Sequence, residues 1–315
     1  MFFYVILTTV CVLYYYFTRT LNYWQHKNVK GPKPIPLFGN FKDVALRRKA
    51  KFLHYNEIYK QYPEEKVVGV YQMTSPGLLI RDLDIVKQIL IKDFELFPDR
   101  GTYFSKKGFG ENMIHCDSYT WKNLRNKFTV LFTSTRNPVI QTKLRDEIDK
   151  VMDNCEGEIT YEIIKEMKYL KMVFDETLRM HPTSHVITRN VKERVKLDGT
   201  DLTVDKGSTV IISPFSIQHD EKYYPEPEKF DPERFSPHNI RCDHPCAFLS
   251  FGAGRRGCLA TQYARLQFSV GMTKLLYNFR VETTRNTCSN LTYDPHHMLI
   301  KPKPGVLLNF IPREK

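Results

Sequence analysis

The chain has 315 residues, 42% hydrophobic and 13% aromatic, which excludes a disordered or collagenous protein and allows a real core. Lys and Arg number 47 against 35 acids, a formal charge of +12 that suits an acidic protein surface or anionic lipid. The basic residues are scattered, so no nucleic-acid arm is expected, and seven irregularly spaced cysteines argue against a secreted disulfide framework.

Residues 1–18 are predicted to form a transmembrane signal anchor. Phe2 to Phe17 is uncharged, with only Thr8 and Thr9 interrupting an apolar and aromatic run, close to the shortest length that spans a bilayer. Arg19, Lys27 and Lys30 follow it, which places the carboxyl-terminal flank in the cytosol. Residues 19–40 read as a Pro-rich hinge: Pro32, Pro34 and Pro36 forbid helix and favour a stiff, extended spacer that holds a globular body at a fixed angle to the membrane. Residues 41–315 read as one domain, mainly α with small β-sheets.

Within that body a strand near Gly77–Ile80 precedes a short Asp-capped helix from Asp84 to Lys92. Helical patterns cover Thr120–Leu131 and Ile140–Met152. A long one covers Tyr161–Met180 and ends at His181-Pro182, because the residue before proline avoids helix. Short strands are expected at 186–188, 202–204 and 209–212, and an irregular loop from Pro225 to Pro237. A final helix from Cys258 to Phe279 leads to a terminal strand at Gly305–Phe310.

Phe251-Gly252-Ala253-Gly254-Arg255-Arg256-Gly257-Cys258 is the densest glycine cluster and has two chemical readings. Gly252, Gly254 and Gly257 make G-x-G-x-x-G, the dinucleotide fingerprint, but too little chain follows Glu282 to finish a mononucleotide-binding half. The other reading centres on Cys258. A cysteine in the first turn of a helix, two residues after Arg256, sits where the thiolate is favoured. Glycines before it leave room for a flat, bulky group, as a thiolate-ligated haem iron needs. A zinc reading of Cys242, His244, Cys246 and Cys258 lacks a second close pair.

Phe251-x-x-Gly254-x-Arg256-x-Cys258 resembles the haem-binding loop of the cytochrome P-450 family. Three further motifs fall in the family's order. Glu176-Thr177-Leu178-Arg179 looks like the E-x-x-R of the K helix, an i, i+3 spacing that lets the two side chains pair. Phe230-Asp231-Pro232-Glu233-Arg234-Phe235 is similar to the P-E-R-F segment, and Trp121-x-x-x-Arg125 to the C-helix motif. The hinge and the Phe230–Phe235 neighbourhood look most like insect microsomal members. Ala260 and Ser250 depart from the commonest family residues and are compatible with the expected ligation.

The resemblance implies a cytochrome P-450 fold and a monooxygenase that binds haem b and inserts one oxygen atom into a small apolar substrate. It implies Cys258 as the axial iron ligand, with Trp121, Arg125, Arg189 and Arg256 on the propionates and Phe251 and Gly254 in the haem loop. Glu176, Arg179 and Arg234 would hold the core beside that loop without doing chemistry. The implied partners are an NADPH-dependent flavoprotein reductase, a lipophilic substrate and the endoplasmic reticulum membrane, at its cytosolic face.

One feature departs from the family. Trp121 and Glu176 are too close in sequence to hold the D-to-I helices. The only Ala-Gly pair is Ala253-Gly254, so the A-G-x-[DE]-T acid and alcohol of the I helix have no counterpart, and no catalytic proton-delivery residue is assigned. The expected fold is therefore internally truncated, with a seam near Ser134 to Arg136. The alternatives are an inactive fragment of the same family or, more remotely, a dinucleotide- or zinc-binding protein.

Overall fold

The computed structural model describes residues 1–99, 137–153, 159–239, 244–287, 292–296, 302–303 and 306–314. The helix expected over Thr120–Leu131, the residues Trp121 and Arg125, and the seam at 134–136 lie outside the described residues. What is described is helix-rich with small sheets, as expected.

Helix α1 covers Phe2–Thr18 and buries none of its residues. Its 17 residues rise about 26 Å at 1.5 Å each, against a hydrocarbon layer of about 30 Å. Among the described residues no helix is long and apolar enough to cross a membrane, so the structure gives the expected transmembrane anchor no support.

The hinge lies against the body of the protein. The short helix α2 (Tyr23–His26) carries Trp24, which is 2% exposed. Strands β1 (Val67–Gln72) and β2 (Ser75–Ile80) form an antiparallel pair, and Trp24 lies against β1. Its Nε1 donates to the Val70 carbonyl at 3.1 Å, and its backbone N–H donates to the Tyr71 hydroxyl at 2.9 Å. A Cβ on Gly69 would come within 2.5 Å of the indole Cγ, so that position must be glycine. The chain then follows β1: Gly69 N–H donates to the Lys30 carbonyl at 2.9 Å, and Asn40 N–H to that of Tyr71 at 2.9 Å. Pro32 and Pro34 lie outside any helix, and the chain then turns over Pro36–Phe38, where Ile35 N–H donates to the Gly39 carbonyl at 2.9 Å and Gly39 N–H to the Ile35 carbonyl at 2.8 Å.

Helices α3 (Lys42–Ala45) and α4 (Lys51–Gln61) precede the hairpin, and α5 (Leu83–Lys87) follows it. The cap of α5 is Asp82, whose carboxylate accepts from Asp84 N–H at 3.0 Å and Ile85 N–H at 3.2 Å; Asp84 is inside the helix. The chain continues as a π-helical turn over Gln88–Lys92. Strands β3 (Ile187–Asn190) and β6 (Thr209–Ile212) complete a four-stranded sheet in the order β1-β2-β6-β3. Between them β4 (Val195–Lys196) pairs with β5 (Thr203–Val204). Leu78, Leu79 and Ile80 on β2 and Val210, Ile211 and Ile212 on β6 are all fully buried. Consecutive buried residues mean both faces of the sheet are covered.

A second core is helical. Helix α6 (Pro138–Asp153) packs through Leu144, Ile148 and Met152. The pattern over 161–180 is two helices, α7 (Tyr161–Glu166) and α8 (Lys168–Met180), because Met167 turns out of helix at ψ 80° and buries its side chain completely. Thr160 caps α7. No cap of its own serves α8, and Glu147 of α6 takes that place, accepting from Tyr169 N–H at 2.7 Å and Leu170 N–H at 2.8 Å. Helix α9 (Pro214–Gln218) and helix α10 (Thr261–Asn278) follow, α10 joining the second core through Phe268, Met272 and Leu276. Strand β7 (Phe279–Thr283) pairs antiparallel with β10 (Leu308–Pro312), and β8 (Thr292–Tyr293) with β9 (Pro302–Lys303).

Candidate functional site

The Glu176–Arg179 pair forms at the end of α8, where i, i+3 spacing sets both side chains on one face. Arg179 Nε donates to Glu176 Oε2 at 2.7 Å and Nη2 to Oε1 at 3.0 Å, a bidentate pair. Both side chains are completely buried. The guanidinium spends its remaining donors on carbonyls, with Nη1 to Gln218 at 2.8 Å and Nη2 to Pro227 at 2.7 Å. Asp231 N–H donates to Glu176 Oε1 at 2.8 Å. Arg234, on the 3-10 turn Pro232–Phe235, brings its Nε within 3.6 Å of that oxygen and donates through Nη2 to the Glu226 carbonyl at 2.9 Å. Burial pushes the Glu176 carboxyl up, and Arg179 pulls it back. The loop from Pro225 to Pro237 is thus irregular, as expected, and pinned to one carboxylate.

The Gly-rich loop does not fit the dinucleotide reading. No strand leads directly into it among the described residues, and β7, which follows α10, belongs to an antiparallel pair. The Cys258 expectation also needs correcting, since α10 starts at Thr261 and Cys258 precedes its first turn. A different device closes the loop: Cys258 N–H donates to the Phe251 carbonyl at 2.8 Å, and Gly257 N–H to that of Gly254 at 2.9 Å. Cys258 and Arg256 are exposed, while Phe251 is half-buried. Gly254 has φ +67°, and a Cβ there would sit 1.9 Å from the Leu90 carbonyl oxygen. That contact seats the loop on the π-helical turn, and the Arg255–Glu95 ion pair adds an outer tie. Arg189 lies on β3, 5% exposed, and donates to the Thr188 carbonyl at 2.8 Å.

Asp175 and Arg265 form a second ion pair at the loop that sequence reasoning missed. Arg265 Nη1 meets Asp175 Oδ2 at 2.9 Å and Nη2 meets Oδ1 at 2.6 Å. The guanidinium lies 5.5 Å from the centres of both the Phe174 and Phe251 rings, so it locks α10 to α8 and backs the loop's aromatic residue. The partners are 90 residues apart, and no local spacing marks them.

His219 stacks on Phe215 and bonds its carbonyl through Nδ1 at 2.8 Å. Burial, and then the Arg179 charge, lower its pKa to about 3. An unfolded histidine takes its proton near pH 6.5, so the unfolded state binds more protons below that value and stability falls on acidification. From pH 7 to pH 5 the loss is expected to be about 2 kcal/mol from this residue. Asp175 and Glu176, both raised, act in the opposite sense, so urea midpoints of the parent and His219→Asn should be compared at the same pH values. A substituted protein that loses stability over this range as steeply as the parent would rule His219 out.

The zinc alternative finds no support, since no cluster of three metal-ligating side chains exists among the described residues; Cys242 lies outside them. The family model for Cytochrome P450 matches residues 29–135 and 130–310. The chain belongs to the cytochrome P450 family. It is 31% identical to cytochrome P450 6B2 of Helicoverpa armigera, an alignment covering 98% of each protein, and 32% identical to cytochrome P450 6B1 of Papilio polyxenes, covering 96% of this chain and 97% of that protein. Over a shorter stretch, 56% of this chain, it is 38% identical to the probable cytochrome P450 6a13 of Drosophila melanogaster. It is thus a cytochrome P450 of insect type, from a family of haem-thiolate monooxygenases that bind haem b. The chemistry of the loop fits that group: an exposed thiol, a glycine-shaped turn behind it and an exposed arginine two residues before.

Proposed function

We propose that this chain binds haem b through the thiolate of Cys258 and oxidises small lipophilic substrates, xenobiotic or endogenous. The haem would supply dioxygen activation at its iron. Cys258 would hold the iron from a loop closed by its own backbone N–H, so the thiolate is placed by the fold. Phe251 and Gly254 would shape the floor of the site. Arg256 and Arg189 would neutralise the propionates, together with Trp121 and Arg125. Glu176, Arg179 and Arg234 would support the loop from beneath.

Electrons would come from an NADPH-dependent flavoprotein reductase, for which the +12 formal charge is a fitting counterpart. Attachment to the cytosolic face of the endoplasmic reticulum membrane would be through α1, whose apolar residues no protein surface covers. We also propose that an oxygen-activating middle segment is missing at a seam near residues 134–136. Two observations support that reading: the family model matches as two pieces meeting at 130–135, and the alignment with cytochrome P450 6B2 runs over 493 positions against 315 residues here.

The observation that carries the haem reading is the exposed Cys258 on a closed loop. The reduced, recombinant full chain is expected to show the strongly red-shifted carbon-monoxide Soret band of thiolate ligation, and Cys258→Ala to lose it. No such band in the parent, with Cys258→Ala indistinguishable from it, would overturn the proposal.

A further inference from the structure

Gln218 closes α9 and is completely buried. Its side-chain amide makes polar contacts on both sides. Nε2 donates to the carbonyls of Leu178 at 3.1 Å and Arg179 at 2.9 Å, in the last turn of α8. Oε1 accepts from Leu249 N–H at 2.8 Å and lies 3.2 Å from the Ser250 hydroxyl. Backbone carbonyls require the amide nitrogen and a backbone N–H requires its oxygen, so the orientation of the amide is fixed by its partners. The Ser250 hydroxyl has one proton, and the Leu178 carbonyl at 2.8 Å is the nearer acceptor. The backbone carbonyl of Gln218 is itself held by Arg179.

From Leu249 the contacts run straight into the Gly-rich loop. Leu249 O accepts from Gly252 N–H at 2.9 Å, and Phe251 O accepts from Cys258 N–H at 2.8 Å. We propose that Gln218 is a positioning residue for Cys258, the link that ties the loop to the Glu176–Arg179 network through the end of α8. The proposal rests on the reading of Cys258 as the haem ligand. Without Gln218, the Arg179 carbonyl and the Leu249 N–H would lose this partner in a dry interior, the Leu178 carbonyl would keep only the Ser250 hydroxyl, and the loop's upstream anchor would loosen. Gln218→Glu keeps most of the device. One carboxyl oxygen accepts from Leu249 N–H and, with the carboxyl in its protonated form, the hydroxyl donates to one carbonyl.

The test uses the full chain and peptide-resolved hydrogen exchange. In Gln218→Leu, amides of Leu249–Cys258 are expected to exchange about tenfold faster than in the parent, while β1 keeps its rate. In Gln218→Glu most of the protection should return. With haem bound, the red-shifted carbon-monoxide band should fall in Gln218→Leu and recover in Gln218→Glu. Unchanged loop exchange in Gln218→Leu, or equal acceleration in β1, would overturn the proposal, the latter because a merely structural role loosens everything. A parent chain without the red-shifted band would sink the haem reading instead, and the exchange measurement would still decide whether Gln218 holds the loop.

Discussion

Arg179→Met is expected to destabilise the protein by about 3–5 kcal/mol, a large part of the 5–15 kcal/mol that holds a typical domain together. The mechanism is the charge left behind. Glu176 is completely buried, and its partner supplies two of the hydrogen bonds that justify a carboxylate there. Carbonyls of Gln218 and Pro227 lose their donors in the same substitution. Urea unfolding should show the effect directly. Combining it with Glu176→Gln should recover part of the loss, because the uncompensated charge is gone. A single-variant cost below about 1 kcal/mol would show that the network is dispensable.

Trp24→Ala is expected to cost a comparable amount, about 3–5 kcal/mol, for a different reason. The indole fills the space that the missing side chain of Gly69 leaves, so truncation opens a cavity against backbone that cannot collapse into it. It also removes the bond to the Val70 carbonyl. The neighbouring contact between Lys27 and Asp205 is half-open to water at 2.7 Å, and Lys27→Ala should cost no more than about 1 kcal/mol. Thermal melts of the two variants would separate these effects. Equal shifts would mean that the hinge is held by charge and not by packing.

Motifs whose chemistry is local were legible in the sequence. The Glu176–Arg179 spacing states its own geometry, and the stop at His181-Pro182 follows from one steric rule. The glycine cluster announced a tight loop. Three things were not legible. The break at Met167 has no proline or glycine to mark it, because the chain turns to bury a side chain in a core built by distant helices. The start of α10 was misplaced because Cys258 is bonded to Phe251 instead of to a helical turn. Gln218 gave no signal at all, since its partners are backbone atoms with no residue identity to read. The hinge prolines exclude helix over residues 32–36, but neither the turn at Pro36–Phe38 nor the docking of Trp24 on Gly69 across tertiary space is marked by them.

The four-stranded sheet has a consequence for how the protein is made. Strand β2 pairs with β1 beside it in sequence, but its other edge waits for β6, with Leu79 opposite Ile211. Parallel pairing across so long a loop is slow, because closure entropy is lost before the contact is gained. During synthesis the hairpin would emerge first and stand with an apolar, unpaired edge until the second half of the chain arrived. The yield of folded protein would then depend on how long that edge is left uncovered, so slower growth temperatures or a holding chaperone should raise it more than any change at the haem loop.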